Sequence, residues 1–248
     1  MKKLFATFLL LAVLGSTSQA EEVRFLPHMK IKVNKVKNFD FASGIDSPVW
    51  QKQPVHKLMF YISKVQDINC APLEKGEVRY LYDDKYFYIR ADFADSDVIT
   101  SAEAHGGPFY LYGDLLEVFI KPVEHNYYWE IYGTPNKFRT RYYYPARSMV
   151  GLPSGFALND CPVLVDAKVE GTLNDPSDVD KSWRVLLAVP RSELEKNGLK
   201  FAPGSRWTVF AARYNYGRHI PDRELSSFPQ CALTYHANEY YAEIDFAE

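Results

Sequence analysis

The stretch Lys85-Tyr86-Phe87-Tyr88-Ile89-Arg90-Ala91-Asp92-Phe93 decides the fold. Phe87, Ile89, Ala91 and Phe93 fall on one side, and Tyr86, Tyr88, Arg90 and Asp92 on the other. That period of two belongs to a half-buried β-strand. Residues 114–121 repeat it, with Leu116, Val118 and Ile120 set against Leu115, Glu117, Phe119 and Lys121. Residues 182–190 place Trp183, Val185, Leu187 and Val189 on one face. Residues 77–82, 126–133, 137–144, 163–171, 205–214 and 239–246 read as further strands, and Asp83-Asp84 between two of them reads as a hairpin turn. Only residues 192–197 read as a helix. They follow Pro190, space Ser192 and Glu195 as a capping box, and stop before Gly198. Many short strands with almost no helix predict an all-β fold, two antiparallel sheets packed as a β-sandwich. No repeat or low-complexity linker interrupts the strand blocks, so residues 21–248 read as one domain. Residues 145–162 lack alternation and carry Gly151, Pro153 and Gly155, which predicts a long surface loop.

The first twenty residues read separately. Lys2 and Lys3 precede an apolar run from Leu4 to Leu14, and Ser18-Gln19-Ala20 supplies the small residues of a cleavage site. This is the order of a secretory signal peptide, with an apolar run too short to span a bilayer. The expected location is therefore secreted or periplasmic. Three cysteines (Cys70, Cys161 and Cys231) in an exported chain permit one disulfide, with all three pairings open.

The net charge of −2 makes no electrostatic case for nucleic acid or an anionic membrane. The informative excess is aromatic: 18 Tyr and 16 Phe, more than a β-rich core needs, so some rings belong at the surface. No Gly-x-Ser-x-Gly, His-Glu-x-x-His or phosphate loop occurs. Asp114 and Glu117, three apart on a strand, point to opposite faces and cannot act together as a glycosidase pair. The reading is of a protein that is not an enzyme.

Several blocks resemble a known family in order. Ile45-Asp46 with Trp50 comes first, then Val78-Arg79-Tyr80-Leu81-Tyr82-Asp83-Asp84 with Tyr86 to Ile89. Asp114-Leu115-Leu116-Glu117-Val118-Phe119-Ile120 follows, then Asp180-Lys181-Ser182-Trp183 leading to Ala188-Val189-Pro190. Arg213-Tyr214-Asn215, Leu225-Ser226-Ser227-Phe228 and Tyr235-His236 complete the series. Over residues 40–246 the chain resembles family 9 carbohydrate-binding modules, whose sandwich is related to the DOMON fold of sugar and extracytoplasmic haem binders. It departs where Phe228 stands in place of the usual Trp, and where Tyr235-His236-Ala237-Asn238 replaces Phe-His-x-Pro.

The resemblance implies a carbohydrate slot in which Tyr110 or Tyr112 and Phe228 stack on the sugar, while Glu117, Arg139 and Asn215 bind hydroxyls. Flat rings against the pyranose face and polar groups at its edge are what such recognition requires. Glu117 lies opposite the cleaner apolar face and calls for a partner; Arg139 is the candidate, in a ligand contact or a structural ion pair. Trp50, Trp129 and Trp183 read as core. Asp95, Asp97 and Asp175 collect hard oxygen ligands in loops, and the resemblance leaves room for structural calcium there. Glycoside hydrolases are the implied partners. The rival readings are haem binding, for which Met149 with His236 is the one defensible axial pair, and a sandwich that has lost its ligand.

Overall fold

The computed structural model describes residues 29–60, 70–147, 161–232 and 234–247. The expected signal peptide, Met149 and most of the expected long loop lie outside them. Thirteen strands run in chain order: β1 (Lys30–Lys35), β2 (His56–Lys57), β3 (Met59–Phe60), β4 (Gly76–Tyr82), β5 (Tyr86–Ala94), β6 (Leu115–Pro122) and β7 (Tyr128–Gly133), then β8 (Arg139–Tyr144), β9 (Leu164–Glu170), β10 (Ser182–Pro190), β11 (Trp207–Asn215), β12 (Glu224–Phe228) and β13 (Ala242–Ala247). The expected all-β sandwich is what the chain forms. One layer runs β8-β7-β6-β11 and continues through β12 to β3; the other runs β9-β10-β5-β4-β1-β13, with β2 beside β4. β11 joins the layers, because its first residues pair with β13 and its later ones with β12.

The three clearest alternating stretches form β5, β6 and β10, and β5 pairs with β10 in unbroken antiparallel register from Tyr86↔Pro190 to Ala94↔Ser182. Their apolar sides meet in the interior, where Phe87, Ile89, Phe93, Val118, Ile120, Trp129, Trp183, Val185 and Leu187 are buried in one cluster. Trp129 and Trp183 are thus core residues, as read from their patterns, and Trp50 is buried in a second cluster outside β4 and β10. A Cβ on Gly133 would stand 2.9 Å from Leu187 and 3.0 Å from Val185, so glycine lets β7 approach the opposite layer there. At the Asp83-Asp84 turn the Asp83 carboxylate accepts from the backbone N–H of Lys85 and of Tyr86, both at 2.8 Å, the self-bonding that suits Asp to turns.

Two local expectations need correcting. The predicted helix is a single α-turn, α2 (Arg191–Leu194), followed by a 3-10 turn at Glu195–Asn197. Its Ser192–Glu195 capping box does not form, since Pro190 is the N-cap with no side-chain cap bond. Glu195 instead accepts from Arg191, Lys200 and the Phe201 backbone N–H. A further short helix, α1 (Phe41–Gly44), carries no apolar periodicity; it starts because the Asp40 carboxylate accepts from the Ala42 N–H at 3.2 Å.

Candidate functional site

The outer face of β6, β7, β8 and β11 differs from an ordinary solvated sheet face. Its outward positions carry Glu117 and Phe119, then Tyr128, Glu130 and Tyr132, then Tyr142 and Tyr144, and finally Phe210 and Tyr214. Two segments cover it. Residues 231–241 lay Cys231, Tyr235, Ala237, Tyr240 and Tyr241 onto Phe119, Tyr128 and Phe210. Residues 98–113 bring Ala102 and Phe109 onto Leu115, Tyr132 and Tyr142. The second segment is held at both ends. Gly113 adopts φ 134° with its Cβ direction against the Ile99 carbonyl, a place only glycine fits, and Asp114 accepts from the Ile99 N–H at 2.7 Å. Midway, Thr140 donates to the Gly107 carbonyl at 2.7 Å.

Burying this face encloses two carboxylates. Glu117 is 3% and Glu130 2% exposed. Burial first, and the neighbouring Glu130 second, push the Glu117 carboxyl well above its usual range, so a proton sits on Glu117 and its side chain hydrogen-bonds to Glu130. Glu130 also accepts from the Tyr132 hydroxyl. Glu117 Oε2 is buried and makes no hydrogen bond among the described residues. His236 closes one end, with Nδ1 at 2.8 Å from the Tyr128 hydroxyl and Nε2 at 3.7 Å from Glu130 Oε2. Burial lowers its basicity, and its Nδ1 shares a hydrogen bond with the Tyr128 hydroxyl. The same desolvation raises Tyr144 and Tyr214, keeping these hydroxyls as donors.

Around this floor lies an accessible aromatic rim. Tyr110 packs against Tyr214 at 5.9 Å and edge-on to Tyr132 at 6.4 Å. Next to it, Leu111 and Tyr112 are 59% and 41% exposed. The Tyr216 hydroxyl donates to the Tyr110 carbonyl at 2.5 Å, and Arg223 lies over the rings of Tyr214 and Tyr216. On the far side, Arg147 pairs with Glu239 at 2.5 Å. Planar rings, guanidinium donors and a hydrogen-bonding floor are the groups that recognise a polyhydroxylated ring.

The expected site residues divide between the two faces. Tyr110, Tyr112 and Glu117 come together on this outer face. Asn215 and Phe228 do not: they occupy inward positions of β11 and β12. Phe228 is 8% exposed and packed in the core, its ring stacked on His56 at 4.4 Å, so it is no surface platform. Asn215 is fully buried, accepting from Arg213 at 2.7 Å and donating to Glu74 at 2.8 Å. Arg139 is separated from Glu117 by the whole of β7 and donates to the Cys161 carbonyl, so the expected Glu117–Arg139 pair is replaced by Glu117–Glu130. Asp114 and Glu117 do part to opposite faces, Asp114 lying near Asp95 and Arg213.

The three loop aspartates are also engaged. Asp95 pairs with buried Arg213 at 2.8 Å; its carboxyl is pushed up to about 6 by burial against the pull of that arginine. Asp97 pairs with Arg218 at 2.7 Å, and Asp175 accepts from Ser177. Arg218 also donates to the carbonyls of Asp175, Pro176 and Asp178. Among the described residues no group of three or more His, Cys, Asp or Glu is arranged to hold a metal ion. No described helix is long and apolar enough to cross a membrane.

Sequence reasoning missed Glu130, Tyr132, Tyr142, Tyr144, Tyr214 and Arg223. The signal was present for four of them: Glu130 and Tyr132 alternate on one strand, and Tyr142 and Tyr144 on the next.

Neither a protein-family profile nor a curated protein sequence matches the chain. Solved structures do. A protein from Bacteroides uniformis, named as a candidate carbohydrate-binding protein, superposes with TM-score 0.68 at 13% identity over 88% of this chain and 99% of that one. A family 9 carbohydrate-binding module from Caldicellulosiruptor kristjanssonii in complex with cellotriose gives TM-score 0.55 at 12% identity over 88% and 93%. One from the same organism with glucose gives 0.54 at 12% over 88% and 95%. The chain therefore has the two-sheet β-sandwich fold of family 9 carbohydrate-binding modules.

Proposed function

We propose that the chain is a non-catalytic carbohydrate-binding protein of the cell exterior or periplasm, and that sugar rests on the Tyr110–Tyr112 rim above the Glu117–Glu130 floor. The observation that supports it most is the rim itself: an exposed tyrosine beside a half-buried one, flanked by Arg223, over a buried carboxyl oxygen that has no hydrogen-bond partner among the described residues. The fold shared with modules seen holding cellotriose and glucose supports the ligand class. The two carboxyls argue against hydrolysis, because a glycosidase holds its pair about 5 Å or more apart and open to substrate. Here Glu117 and Glu130 hydrogen-bond to each other and are buried. Glycoside hydrolases are the proposed partners, and the Lys2 to Ala20 pattern is the basis for the proposed export.

Stacking one ring buries about 100 Å², worth about 2–3 kcal/mol at roughly 25 cal/mol/Å². After association costs, micromolar-to-millimolar affinity is expected. The test is calorimetric titration with cellotriose and a soluble glycan panel, comparing the native chain with Tyr112→Ala. The expected result is binding weakened at least fivefold by the substitution with an unchanged Tm, since Tyr112 is exposed. Absence of binding to every glycan, or equal binding by the variant, would refute the reading.

A further inference from the structure

At the open end of the sandwich, away from the tyrosine rim, a cavity of about 740 Å³ lies between β2, β4, β5, β9 and β10. Its floor is apolar: Leu58, Met59, Phe93, Val169 and Trp183 line it, with the Phe93 and Trp183 rings 4.7 Å apart. Leu58, Phe93 and Trp183 belong to the buried core beneath it, and the partly exposed Met59 and Val169 form its accessible apolar surface. The cavity offers one buried donor, the Trp183 indole N–H, which is without a hydrogen-bond partner among the described residues. A sugar needs convergent donors and acceptors around its ring, and this floor does not supply them.

Cations outnumber anions at the mouth. Lys57, Lys75, Lys168, Lys181 and Arg184 stand there against Glu77, Asp92 and Glu170. The three carboxylates are already neutralised: Glu77 by Arg79 at 2.5 Å, Asp92 by Arg79 and Arg184 at 3.1 and 2.5 Å, and Glu170 by Lys181 at 3.3 Å. Lys57 and Lys75 have no ion-pair partner among the described residues. An apolar chamber with unmatched cations at its mouth complements an amphipathic anion. The volume exceeds what a short acid would fill.

We propose that this cavity is a second binding site, for a long-chain amphipathic anion whose apolar body lies on Met59 and Val169, above the buried Phe93 and Trp183, and whose head group meets Lys57 and Lys75. The site is independent of the carbohydrate reading, because it lies between the layers rather than on the outer face of β6–β8. The test is titration of the full chain with anilinonaphthalene sulfonate, followed by displacement with dodecanoate, dodecanol or dodecyltrimethylammonium. Fluorescence enhancement is expected, with dodecanoate displacing the probe at least tenfold better than the alcohol or the cation. The double variant Lys57→Glu, Lys75→Glu changes only exposed side chains and should lose that preference. Val169→Trp should fill the chamber and abolish probe binding while the outer-face glycan binding stays intact. No enhancement with the native chain, equal displacement by the three amphiphiles, or displacement by cellotriose instead would overturn the proposal.

Discussion

The outward faces of the two layers are built from the same alternating strands, yet they treat charge in opposite ways. On β4, β5 and β10 the outward side is covered by Ile45 and Trp50 over Leu81, Tyr88, Leu186 and Ala188 but open around Asp92, which collects Arg79, Arg90 and Arg184 at 2.5–3.1 Å, with side chains 13–37% exposed. On β6, β7 and β8 the outward side is roofed by residues 98–113 and 231–241, and Glu117 finds another carboxylate rather than an arginine. An open face satisfies a charge with an opposite charge and water. A roofed face makes charge expensive, and the carboxyl keeps its proton and becomes a hydrogen-bonding group. The roofed face also gathers tyrosine hydroxyls around Glu117 Oε2, which has no hydrogen-bond partner among the described residues.

The contrast can be broken most severely at Phe119. Its buried ring touches Tyr128, Phe210, Tyr241 and His236, so Phe119→Ala should cost about 3–5 kcal/mol in urea unfolding and detach the 231–241 cover. A loss below about 1 kcal/mol would mean the roof is not packed as described. Glu117→Gln sharpens the contrast. Burial raises the Glu117 carboxyl from its ordinary 4.5, so the folded chain keeps a proton that the unfolded chain releases. This part of the stability is therefore complete below about pH 4.5 and is lost as pH rises toward the raised value, at about 1.4 kcal/mol for each unit of displacement. The glutamine variant should match the native Tm near pH 4 and exceed it at pH 8. A smaller slope of the same sign should persist from Asp95 and Asp114, both also raised. A variant less stable at pH 8 would place an ionised Glu117 in the native state.

On the open face, Asp92→Asn should cost only about 1 kcal/mol, shrinking further between 0.1 and 1 M salt, since partly exposed pairs are screened. The smallest effect expected is that of a chelator: with Arg218 seated among the loop carbonyls, adding calcium or EDTA should leave the Tm unchanged. A rise in Tm with calcium would show that Asp97 and Asp175 hold metal after all.

The fold was legible because period-two patterning survives whatever covers a strand. Residues 85–93 and 182–190 read correctly because one side of each had to be apolar. The site was legible only in part. Alternation along β6 fixed the face of Glu117, whereas Tyr110 and Tyr112, in and after a 3-10 turn at Phe109–Leu111, were reached through the family resemblance. Arg139, Asn215 and Phe228 required knowing that β7 intervenes between β6 and β8 and that β12 turns Phe228 inward. Pairing order and strand sidedness are set by long-range packing, which local alternation does not encode. The capping box at Ser192 failed for a related reason, because Glu195 is engaged by Arg191 and the Phe201 N–H and the turn starts from Pro190.

The claim most exposed to direct test is that sugar lies on the outer face of β6–β8. A crystal structure of the chain soaked with cellotriose would decide it. The predicted result is a pyranose stacked on Tyr112 or Tyr110, with a hydroxyl within hydrogen-bonding distance of Arg223. A sugar seated between the layers against Trp183, or on the arginines around Asp92, would contradict it.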